Sequence, residues 1–176
     1  TERSRIEAGG LPRAAVVQMF YPGIDVAQMR PSEAFCPYFL LAGRIMWTKN
    51  VGSGLAAFAL ACGPLGPERR LVVAGMADAK SQPYMHSLGL FAQHVGGAEG
   101  RVGPSDAEVR DFYYGWTAVL FTGFNEDWGL VPLEATAVGK AVIAVDMGGP
   151  RETVVHGQTG YLEPNDADAL VERMVE

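Results

Sequence analysis

Glu126 and Glu134 stand eight positions apart across what reads as a loop-to-helix junction. Pro132 and Gly139 bracket the helix. Proline is tolerated in a first turn, where its missing N–H would lack a partner anyway. Glycine suits the left-handed position just past a helix end. The helix is therefore predicted over residues 131–138, beginning near Leu130. Its first amides, from Gly129 to Val131, have no intrahelical acceptor and sit at the positive end of the helix dipole, where an anion or a hydroxyl can bind. Glu126 precedes these donors, and Glu134 lies one turn inside, pointing back toward the same opening. Such a pattern presents carboxylates and amides to one polar ligand. A glutamate placed only to complement the helix dipole, worth about 0.3–1 kcal/mol, would give the same spacing.

A second constellation lies some eighty residues earlier. After the apolar run at residues 38–42 come Gly43, Arg44 and, five residues on, Lys49. In open α/β sheets ligands bind outside the carboxyl ends of the strands. Two cations there can clamp a diphosphate, Arg by its planar fork and Lys as a point charge, or can be ordinary surface charges on a loop. The nearby run Gly52-Ser53-Gly54-Leu55-Ala56-Ala57 matches a G-x-G-x-x-A dinucleotide fingerprint. That fingerprint should follow its strand directly, whereas eight residues separate Gly43 from Gly52, so an NAD-binding Rossmann domain is a minor alternative. No phosphate loop of the G-x-x-x-x-G-K-[ST] type and no G-x-S-x-G elbow occurs.

These groups need a scaffold that brings distant residues to one edge. Near-continuous apolar runs at residues 38–42, 71–74, 118–121 and 141–145, with a less regular one at 14–19, suit strands buried on both faces of a parallel sheet. Amphipathic stretches at residues 54–62, 82–94, 106–114, 131–138 and 166–175 separate them. The alternation predicts an α/β fold: a Rossmann-like open parallel sheet with helices on both faces. Tyr21-Pro22-Gly23-Ile24-Asp25, followed by Pro31 and Pro37, reads as a hinge. Residues 1–25 are thus expected to be a linker or edge of a preceding domain, and residues 26–176 a ligand-binding domain.

The 176 residues, 48% apolar and 19% charged, suffice for one domain with a full core. A net charge of -6 argues against a nucleic-acid surface without excluding an anionic ligand held by local cations. Cys36 and Cys62 form no CxxC pair and the three histidines are scattered, so no metal site is expected. No apolar run reaches transmembrane length and no signal peptide opens the chain, which starts and stops like a piece of a longer protein.

Taken in order, these residues resemble the donor-binding C-terminal domain of family-4 retaining glycosyltransferases, including bacterial and archaeal mannosyltransferase-like members. The Pro-Gly-Ile-Asp hinge comes first, then Gly43-Arg44 with Lys49, and Leu71-Val72-Val73-Ala74-Gly75. The E-x7-E segment Glu126–Glu134, Gly139-Lys140-Ala141-Val142-Ile143-Ala144, Gly148-Gly149-Pro150-Arg151-Glu152 and the turn Gly157-Gln158-Thr159-Gly160-Tyr161-Leu162 follow. The resemblance implies one half of a two-domain GT-B architecture that transfers a sugar from a UDP- or GDP-sugar to an acceptor with retention, without a cofactor or an obligatory metal. It implies that Arg44 and Lys49 neutralise the donor diphosphate, that Glu134 accepts from the ribose hydroxyls and that Glu126 lies at the transferred sugar. It also implies that the amides of Gly129, Leu130 and Val131 hold donor oxygens, and that Gly43, Gly148 and Gly149 line the donor. The acceptor, a glycan or lipid-linked glycan, would be held by the N-terminal domain, so this chain alone is expected to be inactive. The whole protein is expected to be cytoplasmic or peripheral to a membrane. A non-catalytic nucleotide-sugar-binding module is the alternative from another class. Trp128, where the family often has Phe, is expected to pack under its loop, and residues 99–103 are expected to form a loop without a clear strand before it.

Overall fold

A computed structural model describes residues 8, 9, 20–33, 36 and 38–176. Six parallel strands form one sheet: β1 (Tyr38–Ala42), β2 (Arg70–Gly75), β3 (Ala98–Val102), β4 (Ala118–Phe121), β5 (Ala141–Val145) and β6 (Gly160–Glu163). Their spatial order is β3-β2-β1-β4-β5-β6, so the chain winds outward one way from β1 and then returns to wind the other way from β4. The crevice where the two directions part, between β1 and β4, is where such sheets bind ligands. Phe39 pairs with Ala118 and Leu40 with Val119 across it.

Alternation along each strand divides the core in two. Phe39, Leu41, Leu71, Val73 and Leu120 point to one face, against α1 (Val51–Leu65) and α6 (Ala167–Val175), which contribute Leu55, Phe58, Leu170 and Met174. α2 (Gln82–Ala92) covers the same face near the β3 edge. Leu40, Val72, Val119 and Val142 point the other way, against α3 (Asp106–Gly115) and α4 (Leu130–Ala137), with Tyr113, Trp116, Ala135 and Val138 completing that layer. Burial on both faces is why the central strands are apolar at every position. The short α5 (Pro150–Thr153) follows the Gly148-Gly149 turn.

The four strands expected at residues 38–42, 71–74, 118–121 and 141–145 are present, as are all five helices, with ends shifted by up to three residues. The strand expected at residues 14–19 lies outside the described residues. Residues 98–102 correct the sequence reading: they form β3, paired in register with β2 from Leu71↔Ala98 to Gly75↔Val102. β3 is a sheet edge and largely exposed, so its Ala-Glu-Gly-Arg-Val composition carries no apolar run to recognise. The turn read at residues 157–162 likewise continues into β6 from Gly160. α1 begins at Val51, so Gly52 and Gly54 lie inside the helix and do not form a strand-to-helix turn. A Cβ at Gly54 would come 2.7 Å from a Leu41 methyl, so this glycine lets the helix lie close on β1. The fingerprint therefore has a packing explanation, and its geometry is not that of a dinucleotide loop.

Candidate functional site

Every residue singled out for chemistry lies at the carboxyl edge of β1, β4 or β5 or in α4. Beyond β1 the chain turns at Gly43 (φ +128°), whose amide donates to the Ala74 carbonyl at 3.0 Å, and Arg44 follows with its side chain exposed. A 3-10 turn, Trp47–Lys49, then leads into α1 through Asn50, itself left-handed at φ 49°. The loop leaving β4 fastens this turn. The Thr122 hydroxyl, 1% exposed, lies 2.9 Å from the Asn50 carbonyl and 3.2 Å from that of Lys49, and the Phe124 amide donates to the Thr48 carbonyl at 2.8 Å. The two loops meet in an ion pair between Lys49 Nζ and Glu126 Oε2, both side chains largely covered. Residues seventy-seven positions apart in the chain thus form one charged unit.

Glu134 lies one turn inside α4, whose N-cap is Gly129 at φ 80°. The amides of Leu130 and Val131 have no acceptor among the described residues, as a helix start leaves them. Helix α4 ends at Ala137, one residue before the expected end, with Val138 as its C-cap and left-handed Gly139 just past it. Glu134, Leu130 and Val131 line a cleft of about 370 Å³ together with Gly43 and Arg44. Its far wall is the start of α3, where Ser105 and Glu108 form a capping box, with the Ser105 amide donating to Glu108 Oε2 at 2.8 Å. That volume lies within the range of small-molecule sites, roughly 300–1,000 Å³. Arg44 also lines an adjoining depression that contains Lys49, Thr122 and Gly123. The cleft is therefore lined by a cation, Arg44, shared with the depression that holds Lys49, and by the carboxylate of Glu134. Glu126 itself faces Lys49 and is not part of the cleft lining.

Gly148 and Gly149 make a structural contact that the sequence did not reveal. The Gly149 amide donates to the Glu126 carbonyl at 2.6 Å. A Cβ at Gly148, where φ is +64°, would overlap the Glu126 carbonyl oxygen and stand 2.9 Å from its amide nitrogen. A Cβ at Gly149 would run into the backbone of Trp128. The pair of glycines presses on the loop that carries Glu126 and fixes its height above the sheet. Trp128 does pack, but against the hinge: its Nε1 donates to the Pro22 carbonyl at 2.9 Å, and its ring centroid lies 4.6 Å from that of Tyr21.

Sequence reasoning also missed Tyr113. It is 2% exposed, and its hydroxyl donates to Glu134 Oε2 at 2.7 Å. Burial, with the Glu134 carboxylate beside it, pushes the phenol well above its usual pKa, so it stays a donor at any ordinary pH. A tyrosine in an aromatic stretch, Phe112-Tyr113-Tyr114, reads as core, and only the fold shows whom its hydroxyl meets.

A doubly wound parallel sheet with cations and a helix start at its crevice defines a Rossmann-like domain. Residues 31–176 match the family model for glycosyl transferases group 1, and the chain belongs to that family. It is 34% identical to the alpha-1,3/1,6-mannosyltransferase ALG2 of Rhizomucor pusillus, over 88% of this chain and 43% of that protein. The C-terminal domain of the group 1 glycosyl transferase LpcC from Francisella tularensis superposes with a TM-score of 0.75 at 23% identity, covering 86% of each chain. Anabaena Alr3699/HepE, solved in complex with UDP and glucose, superposes with a TM-score of 0.80 at 24% identity, covering 99% of this chain and 50% of that one. These likenesses establish the fold as one half of the GT-B architecture. The chain spans less than half the length of the curated mannosyltransferases it matches.

Proposed function

We propose that this domain binds the donor of a retaining hexosyltransferase, a UDP- or GDP-sugar, and that the whole protein transfers the sugar to a glycan or lipid-linked glycan. The observation that carries the reading is the place of Arg44, which lines both the cleft that holds the α4 start and Glu134 and the adjoining depression that holds Lys49, the ion-pair partner of Glu126. The family, the mannosyltransferase relatives and the UDP complex of a protein of the same fold support it.

In this reading the donor diphosphate lies between Arg44 and Lys49, which stabilise the charge that grows on it as its bond to the anomeric carbon breaks. The amides of Gly129, Leu130 and Val131 hold phosphate or sugar oxygens, with Gly43 and the Gly148-Gly149 turn beside them. Glu134 accepts from the ribose hydroxyls. Glu126, oriented by Lys49, binds the transferred sugar and favours positive character at its anomeric carbon. The acceptor oxygen forms its bond on the face from which the diphosphate leaves, and its proton passes to the departing phosphate. No metal is required for any of these steps. The missing half of the cleft supplies the acceptor, so this chain binds nucleotide and transfers nothing alone. The whole protein works in the cytoplasm or at a membrane surface; no described helix is long and apolar enough to cross a membrane.

The test is a competition titration of UDP, GDP and ADP against the native chain and Glu134→Ala. UDP or GDP is expected to bind, at least tenfold more weakly to the variant. Equal binding by both proteins, or no binding by either, would overturn the assignment.

A further inference from the structure

We propose that Tyr113 is a positioning residue for the donor site: its buried hydroxyl holds one oxygen of Glu134 so that the other is presented to the ribose diol. The inference rests on the donor-site reading of Glu134 and adds to it a residue outside the E-x7-E segment.

A glutamate side chain on a helix has three rotatable bonds, and fixing it opposes considerable rotamer entropy. An ionised carboxylate also accepts hydrogen bonds and donates none, so it can be steered only by donors. Tyr113 is such a donor, with its ring packed in the second core layer between α3 and the sheet. The partner sits twenty-one residues away on α4, so the bond ties together two of the helices that wall the cleft. It engages Oε2, while Oε1 has no hydrogen-bond partner among the described residues. One oxygen anchored and one open is the arrangement that accepts from a vicinal diol, whose two hydroxyls converge on a single carboxylate. Burial keeps the phenol protonated, so the anchor does not switch off near neutral pH. Tyr113 also lines the cleft beside Glu134, and its hydroxyl is committed to the carboxylate there. Its role is to place Glu134 before ligand arrives, which strengthens binding by lowering the ordering required at that moment.

The test uses the 176-residue chain, titrated calorimetrically with GDP and UDP and with their 2′,3′-dideoxy counterparts. The native chain is expected to prefer the ribonucleotide. Tyr113→Phe, which removes only the hydroxyl, should weaken ribonucleotide binding about tenfold and dideoxynucleotide binding less than twofold, as befits loss of a charge-assisted bond. An equal loss on both nucleotides would mean general damage to the fold and would overturn the inference alone. So would an undiminished ribose preference in the variant. A native chain that ignores the ribose hydroxyls would overturn the donor-site reading of Glu134 and this inference with it. A structure of the native chain with bound nucleotide gives a second readout that does not depend on the variant folding. Tyr113 should remain on Oε2 while a ribose hydroxyl reaches Oε1, and a Tyr113 hydroxyl displaced from Glu134 would refute the role.

Discussion

Gly148→Ala separates the support of the Glu126 loop from ordinary backbone strain. At φ +64° an alanine is strained by about 1–2 kcal/mol, because its Cβ crowds the following carbonyl. Gly157, at φ +76°, has open space around a built Cβ, so Gly157→Ala carries that strain and nothing else. At Gly148 the same Cβ also meets the Glu126 carbonyl oxygen and, at 2.9 Å, the Glu126 amide. Neither neighbour is the end of a flexible side chain; the loop itself must move. Overpacking of this kind costs about 1–3 kcal/mol in addition. For a chain of this size each kcal/mol lowers Tm by about 2–4 °C. Gly157→Ala is therefore expected to lose about 2–8 °C and Gly148→Ala about 4–20 °C, the sums of the strain and overpacking estimates. The binding readout is sharper. Displacing Glu126 moves its partner Lys49, so Gly148→Ala should weaken nucleoside diphosphate binding at least tenfold while Gly157→Ala leaves it unchanged. Differential scanning fluorimetry and titration calorimetry on both variants measure the two effects. If the variants match in Tm and in affinity, the Gly-Gly turn does not brace the Glu126 loop.

Lys49→Met should change stability by less than about 1 kcal/mol, since partly solvated ion pairs contribute little, and should weaken diphosphate binding ten- to a hundredfold. The same variant should flatten the dependence of affinity on salt, which titrations at two ionic strengths would show. Glu134→Ala should lose nucleotide affinity and about 1–3 kcal/mol of stability, because the buried Tyr113 hydroxyl loses its acceptor; a collapse well beyond that would instead make Glu134 a structural residue. Asp78 and Glu108 cap helix starts, and both have depressed pKa values: Asp78 through bonds from the Ser81 side chain and amide, Glu108 through bonds from the Ser105 amide and side chain. A depressed folded pKa adds stability that is fully present above the unfolded value and is lost as pH falls through the folded one. The urea midpoint should therefore fall below about pH 4, the ordinary carboxylate range, and less steeply in Asp78→Asn with Glu108→Gln. An equally steep fall in the double variant would refute the capping contribution.

What the sequence made legible follows from burial. Strands β1, β4 and β5 have both faces covered, so every position is apolar and their limits stood out. Edge strand β3 has no such requirement, and its pattern resembled a loop. The helix holding Glu134 was legible because Pro132 and Gly139 act locally, through missing donors and a left-handed turn. Long-range pairings were not. Lys49 with Glu126, Thr122 with the Asn50 carbonyl, and Tyr113 with Glu134 depend on strand order, which local periodicity does not contain. The Gly148-Gly149 turn was visible as a motif, but its partner, the Glu126 backbone, was not.

The strand order also explains why residues so far apart in sequence form one site. β1 and β4 are neighbours in space but are separated in the chain by α1, β2, α2, β3 and α3. Loops leaving neighbouring parallel strands run the same way, so the cations after β1 and the carboxylate after β4 must come out side by side. At an edge where chain direction parts, no crossover helix fills the space between them. The fold thus supplies proximity, and the remaining task is orientation at short range. Three uncharged contacts do that work: Thr122 on the Lys49 turn, the two glycines on the Glu126 backbone, and Tyr113 on Glu134. The first two act through the backbone of the turn or loop that carries the charged side chain, and Tyr113 acts on the carboxylate itself. A chain with net charge -6 can hold a diphosphate in this way, because what matters at the crevice is how two cations are placed and not the sign of the whole surface.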